Sequence, residues 1–120
     1  MIDVVHASNG TGRVINKDLN YKIAGKTGTA QVISIDEKEK YDSSKIDKRK
    51  WDHALFVAFA PADDPKIALG LIVENGEHGS LTAAPIARKI IDAYLENLEV
   101  NKTAVASRFN PLSSTQIEIN

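Results

Sequence analysis

Two apolar runs of strand length occupy the middle of the chain. His53 to Ala60 (HALFVAFA) and Lys66 to Glu74 (KIALGLIVE) lack the polar alternation of a half-exposed strand, so each is expected to be covered on both faces. Pro61-Ala62-Asp63-Asp64-Pro65 between them reads as a turn, and the pair as an antiparallel hairpin. Upstream, Tyr21 to Ser34 is β-like at both ends (Tyr21, Ile23; Val32, Ile33) but carries Gly25 and Gly28 inside. Small residues within a strand allow close backbone approach, and here they suggest a ligand edge. Downstream, Ile86, Ala87, Ile90, Ile91, Tyr94, Leu95 and Leu98 recur at helical spacing opposite Arg88, Lys89, Asp92 and Glu96. That pattern predicts a helix over about 82–98 with one face on the sheet, Ser80 or Thr82 able to cap it and Pro85 tolerated in its first turn.

The remaining segments are polar. Met1 to Asn20 starts with a short apolar cluster (Ile2, Val4, Val5) and then meets Asn9-Gly10-Thr11-Gly12, so it reads as a helix end followed by a loop. Residues 35–50 (IDEKEKYDSSKIDKRK) read as a solvated insert, and residues 99–120 as a polar, mobile tail. The expected architecture is therefore α+β, with a motif strand at about 21–34, strands at about 53–60 and 66–74, and a C-terminal helix packed on the sheet.

Composition narrows the function classes. Of the 120 residues, 42% are hydrophobic and 26% charged, an ordinary globular balance. Fifteen basic residues nearly match 16 acidic ones for a net charge of -1, so no global field recruits nucleic acid. With no cysteine, disulfides, thiolate metal sites and cysteine nucleophiles are all excluded. No apolar run approaches the roughly 20 residues needed to cross a bilayer.

The chemistry concentrates in Gly25-Lys26-Thr27-Gly28-Thr29-Ala30-Gln31. An acyl-transfer site that receives a peptide ending in a free carboxylate needs a fixed cation near that carboxylate and donors aimed at the developing oxyanion. A lysine on an edge strand, flanked by hydroxyls and a glycine, supplies both. Alone, the Lys-Thr-Gly triplet reads better as a solvated lysine among threonines chosen for β-propensity. Its surroundings change that balance. YKIAGKTGTAQV (Tyr21 to Val32), WDHALFVAFAP (Trp51 to Pro61) and PKIALGLIVENGEHGS (Pro65 to Ser80) resemble, in order and at suitable spacing, the class B penicillin-binding proteins of the elongation type, the penicillin-binding protein 2 group. Met1 to Thr11 resembles the segment before the motif strand, so the resemblance covers residues 1 to 98.

That resemblance implies the C-terminal portion of the penicillin-binding transpeptidase (serine β-lactamase-like) fold, with the three strands antiparallel and the Lys-Thr-Gly strand at one edge. It further implies a peptidoglycan D,D-transpeptidase that cross-links stem peptides through an acyl-serine intermediate and is trapped by β-lactams. Lys26 would supply positive potential and join the hydrogen-bond network. The hydroxyls of Thr27 and Thr29 would hold the substrate or β-lactam carboxylate, the Thr29 backbone N–H would be an oxyanion donor, and Gly28 would let the strand pass close to the acyl group. The family's Ser-x-x-Lys and Ser-x-Asn motifs start at none of Ser8, Ser34, Ser43, Ser44, Ser80, Ser107, Ser113 or Ser114. Both precede the motif strand in family order, so the chain is expected to be a piece of a longer protein and inactive by itself. No cofactor is implied. The expected partners are the rest of the transpeptidase domain, a glycan polymerase and the rod-shape machinery. The expected location is the periplasmic side of a bacterial inner membrane, with the anchor outside this chain.

Other readings carry less. A carboxypeptidase or β-lactamase shares the triplet, but the flanks disfavour both. A non-catalytic β-lactam sensor or interaction module on the same fold is the alternative from a different class, and upstream sequence would separate it from the enzyme. His6, His53 and His78 fall in no metal-ligand spacing, and His53 is expected to hydrogen-bond locally. Asn9-Gly10-Thr11 and Asn101-Lys102-Thr103 match a glycosylation pattern that matters only in a eukaryotic secretory context. Asn75-Gly76-Glu77-His78-Gly79 lacks the lysine and spacing of a phosphate loop.

Overall fold

The structure, a computed structural model, describes residues 1–32 and 47–119, with side chains through residue 106. A one-and-a-half-turn helix, α1 (Ile2–His6), is followed by a loop and a 3-10 turn at Arg13–Ile15 before strand β1 (Ala24–Ala30). Strands β2 (His53–Ala60) and β3 (Ile67–Val73) form the expected hairpin, and a wide π turn at Gly79–Ala83 leads into α2 (Ala84–Ile119). Most of the polar stretch at 35–50 lies outside the described residues.

The three strands are antiparallel in the order β1-β2-β3. Thr27 stands opposite Phe56, and Phe56 opposite Leu71. Because partners across an antiparallel pair share a face, Gly25, Thr27 and Thr29 lie on one side with Ala54, Phe56 and Ala58 and with Leu69, Leu71 and Val73. This side carries the core, where Val5, Ile15, Ile23, Phe56, Ala83, Ala84, Ala87 and Ile91 are buried together. Ala84 and Ala87 at the start of α2 are fully buried in this core, where small side chains permit a close approach of the helix.

Four expectations change here. The strands are covered on one face rather than two: among the described residues Val57 is 46% and Ile72 62% exposed on the other side. Continuous apolarity therefore marks a face that no described element covers. The buried line of α2 is also narrower than its periodicity suggested. Ala84, Ala87 and Ile91 are buried and Leu95 packs against the core, whereas Ile86, Ile90 and Tyr94 are each at least 40% exposed. Nor does the helix end near residue 98; it runs to Ile119. Residues 99 to 106 are all exposed, so the amphipathic pattern stops where packing stops. The helix itself persists on its own backbone ladder and on helix formers such as Glu99, Lys102 and Ala104. The Thr82 hydroxyl, a proposed cap, instead donates to the Gly76 carbonyl at 2.7 Å.

Candidate active site

β1 is an edge strand, so half of its backbone groups have no strand to pair with among the described residues. Near its start the Gly25 N–H turns outward, donating to Met1 O at 3.2 Å. Antiparallel geometry directs alternate residues the same way, so the N–H groups of Thr27 and Thr29 point to that same edge. Lys26 is exposed, and its Nζ donates to Thr27 O at 2.8 Å, which folds the ammonium back along the edge. The Thr27 hydroxyl shares a hydrogen bond of 3.0 Å with the Thr11 hydroxyl, while Thr29 is exposed. Lys26 and Gly28 belong to the open face and Thr27 and Thr29 to the core face. The four residues converge only at the edge.

The two glycines of the motif strand do different work. A Cβ on Gly25 would sit 2.6 Å from Phe56 Cζ, so Gly25 leaves room for the largest fully buried ring. Gly28 faces Leu55 across the ladder. The π turn presses on this pair from later in the chain: a Cβ on Gly79 would lie 2.5 Å from Leu55 O and 2.6 Å from Gly28 O. Only a residue without a side chain brings the turn that close, and it steadies the strand at the motif.

Further support comes from behind. Arg88 on α2 donates through Nη1 to Ile15 O at 2.6 Å and Lys17 O at 2.9 Å, and through Nε to Asp92 Oδ2 at 2.7 Å. Tyr21 OH donates to the other Asp92 oxygen. Burial first, and then the bond to the Asp92 carboxylate and its charge, push the Tyr21 phenol well above its ordinary range, against a smaller opposing effect of Arg88. His6 Nε2 accepts from the Ile23 N–H at 3.1 Å. His53 has the expected local role, its Nδ1 accepting from the Asn75 N–H at 2.9 Å. His78 pairs with Glu77 at 3.3 Å. The three histidines thus stand apart, and among the described residues no group of three or more His, Asp or Glu side chains could hold a metal ion.

Thr11 is the residue that sequence reading passed over. Its signal was Asn9-Gly10-Thr11-Gly12, in which Thr11 was given no part in the site. The structure brings this loop against the motif strand, and a groove of about 990 Å³ runs from it between residues 6–17 and Ser80–Leu81, lined among others by Thr11, Arg13, Lys17 and Ser80.

The fold is shared with known proteins. Residues 1–92 match the penicillin binding protein transpeptidase domain. The peptidoglycan D,D-transpeptidase MrdA of Haemophilus influenzae is 53% identical over 95 residues, which is 79% of this chain and 15% of that protein. The crystal structure of Pseudomonas aeruginosa PBP2 in complex with WCK 5153 superposes with a TM-score of 0.63 at 46% identity, over 78% of this chain and 17% of that one. PBP2 of Helicobacter pylori, solved with MreC, gives 0.60 at 29% identity over 78% of this chain and 16% of that one. The chain therefore spans about 15% of the length of the curated relative it matches. No helix among the described residues is long and apolar enough to cross a membrane. On these matches the chain belongs to the penicillin-binding protein transpeptidase domain family, in its penicillin-binding protein 2 group.

Proposed function

We propose that this chain supplies one wall of the acyl-transfer site of a peptidoglycan D,D-transpeptidase. In the reaction, a serine outside the chain attacks the carbonyl carbon of a D-Ala-D-Ala stem peptide, an acyl-serine forms and the terminal D-Ala departs. An amine of a neighbouring strand then takes the acyl group. The outward N–H of Thr29 donates to the oxyanion as the carbonyl becomes tetrahedral. Lys26 contributes positive potential at the edge, and the Thr27 and Thr29 hydroxyls donate to the terminal carboxylate of the donor peptide, or to that of a β-lactam. Gly28 keeps the strand free of a side chain beside the acyl group.

The observation that carries this reading is the placement of Lys26 to Thr29 on a sheet edge with the Thr27 and Thr29 amides directed outward. Because the nucleophile is assigned to sequence that precedes residue 1 in the family order, activity belongs to a longer protein. Its transpeptidase domain stands on the periplasmic side of a bacterial inner membrane, anchored outside this chain. The complex of the H. pylori relative with MreC supports a partner from the rod-shape machinery, and a glycan polymerase is the expected supplier of strands.

A fluorescent penicillin tests the proposal. The longer protein becomes covalently labelled at an upstream serine, and the label is lost with Lys26→Ala, while the 120-residue chain alone stays unlabelled. Labelling of the isolated chain would sink the assignment of the nucleophile.

A further inference from the structure

We infer that Thr11 is a positioning residue for the Thr27 hydroxyl, and through it for the carboxylate received at the motif strand; this rests on the transpeptidase reading above. The Thr11 and Thr27 oxygens are 3.0 Å apart, and either can be the donor. Each hydroxyl has one proton and two lone pairs. If Thr27 gives its proton to Thr11, it has none left for a ligand. When a carboxylate arrives, which can only accept, Thr27 must donate to it and Thr11 must donate to Thr27. The pair then forms a directed chain, Thr11 to Thr27 to carboxylate, in which the first bond polarises the second. Thr11 also fixes the Thr27 rotor, so that less rotational freedom is lost when the carboxylate binds.

The loop is built to hold Thr11 still. The Gly12 N–H donates to Val4 O at 2.8 Å and the Arg13 N–H to Gly10 O at 3.2 Å. Arg13 Nη1 reaches back to Ser8 O at 2.5 Å, and the Ile15 N–H closes the next turn on Gly12 O at 3.2 Å. Both residues that flank Thr11 are therefore pinned, one of them to α1. The Thr11 side chain itself is exposed, as a group serving an open edge must be. Burial of apolar surface does not explain a threonine there. The bond to Thr27 does.

The test uses the full-length protein that contains this chain and the second-order rate of acylation by benzylpenicillin, with variants Thr11→Val, Thr11→Ser, Thr27→Val and the double variant. Loss of one neutral hydrogen bond predicts that Thr11→Val slows acylation by about fivefold to tenfold, and that Thr11→Ser restores it to within about twofold. In the double variant the Thr11→Val effect disappears, because its target hydroxyl is gone. With benzylpenicillin methyl ester, which lacks the carboxylate, Thr11→Val matches the parent. Should Thr11→Val lower the melting temperature, Thr11→Ala serves in its place. The inference is overturned if Thr11→Val leaves the rate unchanged while Thr27→Val lowers it, if the two losses multiply in the double variant, or if acid and ester slow equally. An unchanged rate in Thr27→Val overturns the assigned role of Thr27, and this inference with it.

Discussion

Tyr21 and Asp92 meet across 71 residues of sequence, and their contact has a definite pH signature. A phenol whose folded pKa is raised is a stabilising donor for as long as it keeps its proton. Its contribution is complete below the ordinary phenol range, near 10, and is lost as pH rises through the elevated folded value. Tyr21→Phe should therefore lower unfolding stability by about 1 kcal/mol at neutral pH. Equilibrium urea unfolding repeated at increasing alkalinity should show the gap closing only above the range where free tyrosine ionises. A gap already shrinking between neutrality and pH 9 would contradict the hydrogen-bond assignment.

At the scale of elements, β1 depends on β2 for more than ladder bonds. The Phe56 ring lies over Gly25, and any side chain at 25 must displace the largest fully buried residue. Gly25→Ala should cost about 2 kcal/mol through overpacking, measurable as a drop in denaturant midpoint, whereas Thr29→Ala at an exposed position on the same strand should cost under about 0.5 kcal/mol. The strands, their hairpin and the motif were legible beforehand because each rests on local pattern: an apolar run, a proline-bounded turn, a triplet with its flanks. The glycine's true neighbour was not, since it follows from the pairing Gly25 with Ala58 and Thr27 with Phe56, which no local pattern states. Thr11 escaped for the same reason, its partner being 16 residues away. The helix beyond residue 98 was missed because periodicity records packing, and α2 outlasts its packing.

For the whole molecule, the uncovered sheet face is the main liability. Val57 and Ile72 stand on it with about half or more of their surfaces open, and apolar patches of this kind drive association. The 120-residue chain by itself should show concentration-dependent association in sedimentation velocity, and Val57→Thr with Ile72→Thr should shift it towards monomer. A parent chain that stays monomeric at high concentration would argue that the face is innocuous.

Arg88 spans 73 residues to the carbonyl of Ile15 and holds that of Lys17 beside it, and Gly79 presses on Gly28. Chain synthesis runs from the N-terminus, so the motif strand leaves the ribosome well before the pieces that brace it. Until residue 92 has emerged, the bonds of Arg88 and Asp92 to Ile15, Lys17 and Tyr21 cannot form. The order of translation thus delays the completion of this wall, and a ribosome halted before Arg88 leaves the motif strand without the contacts that α2 makes behind it.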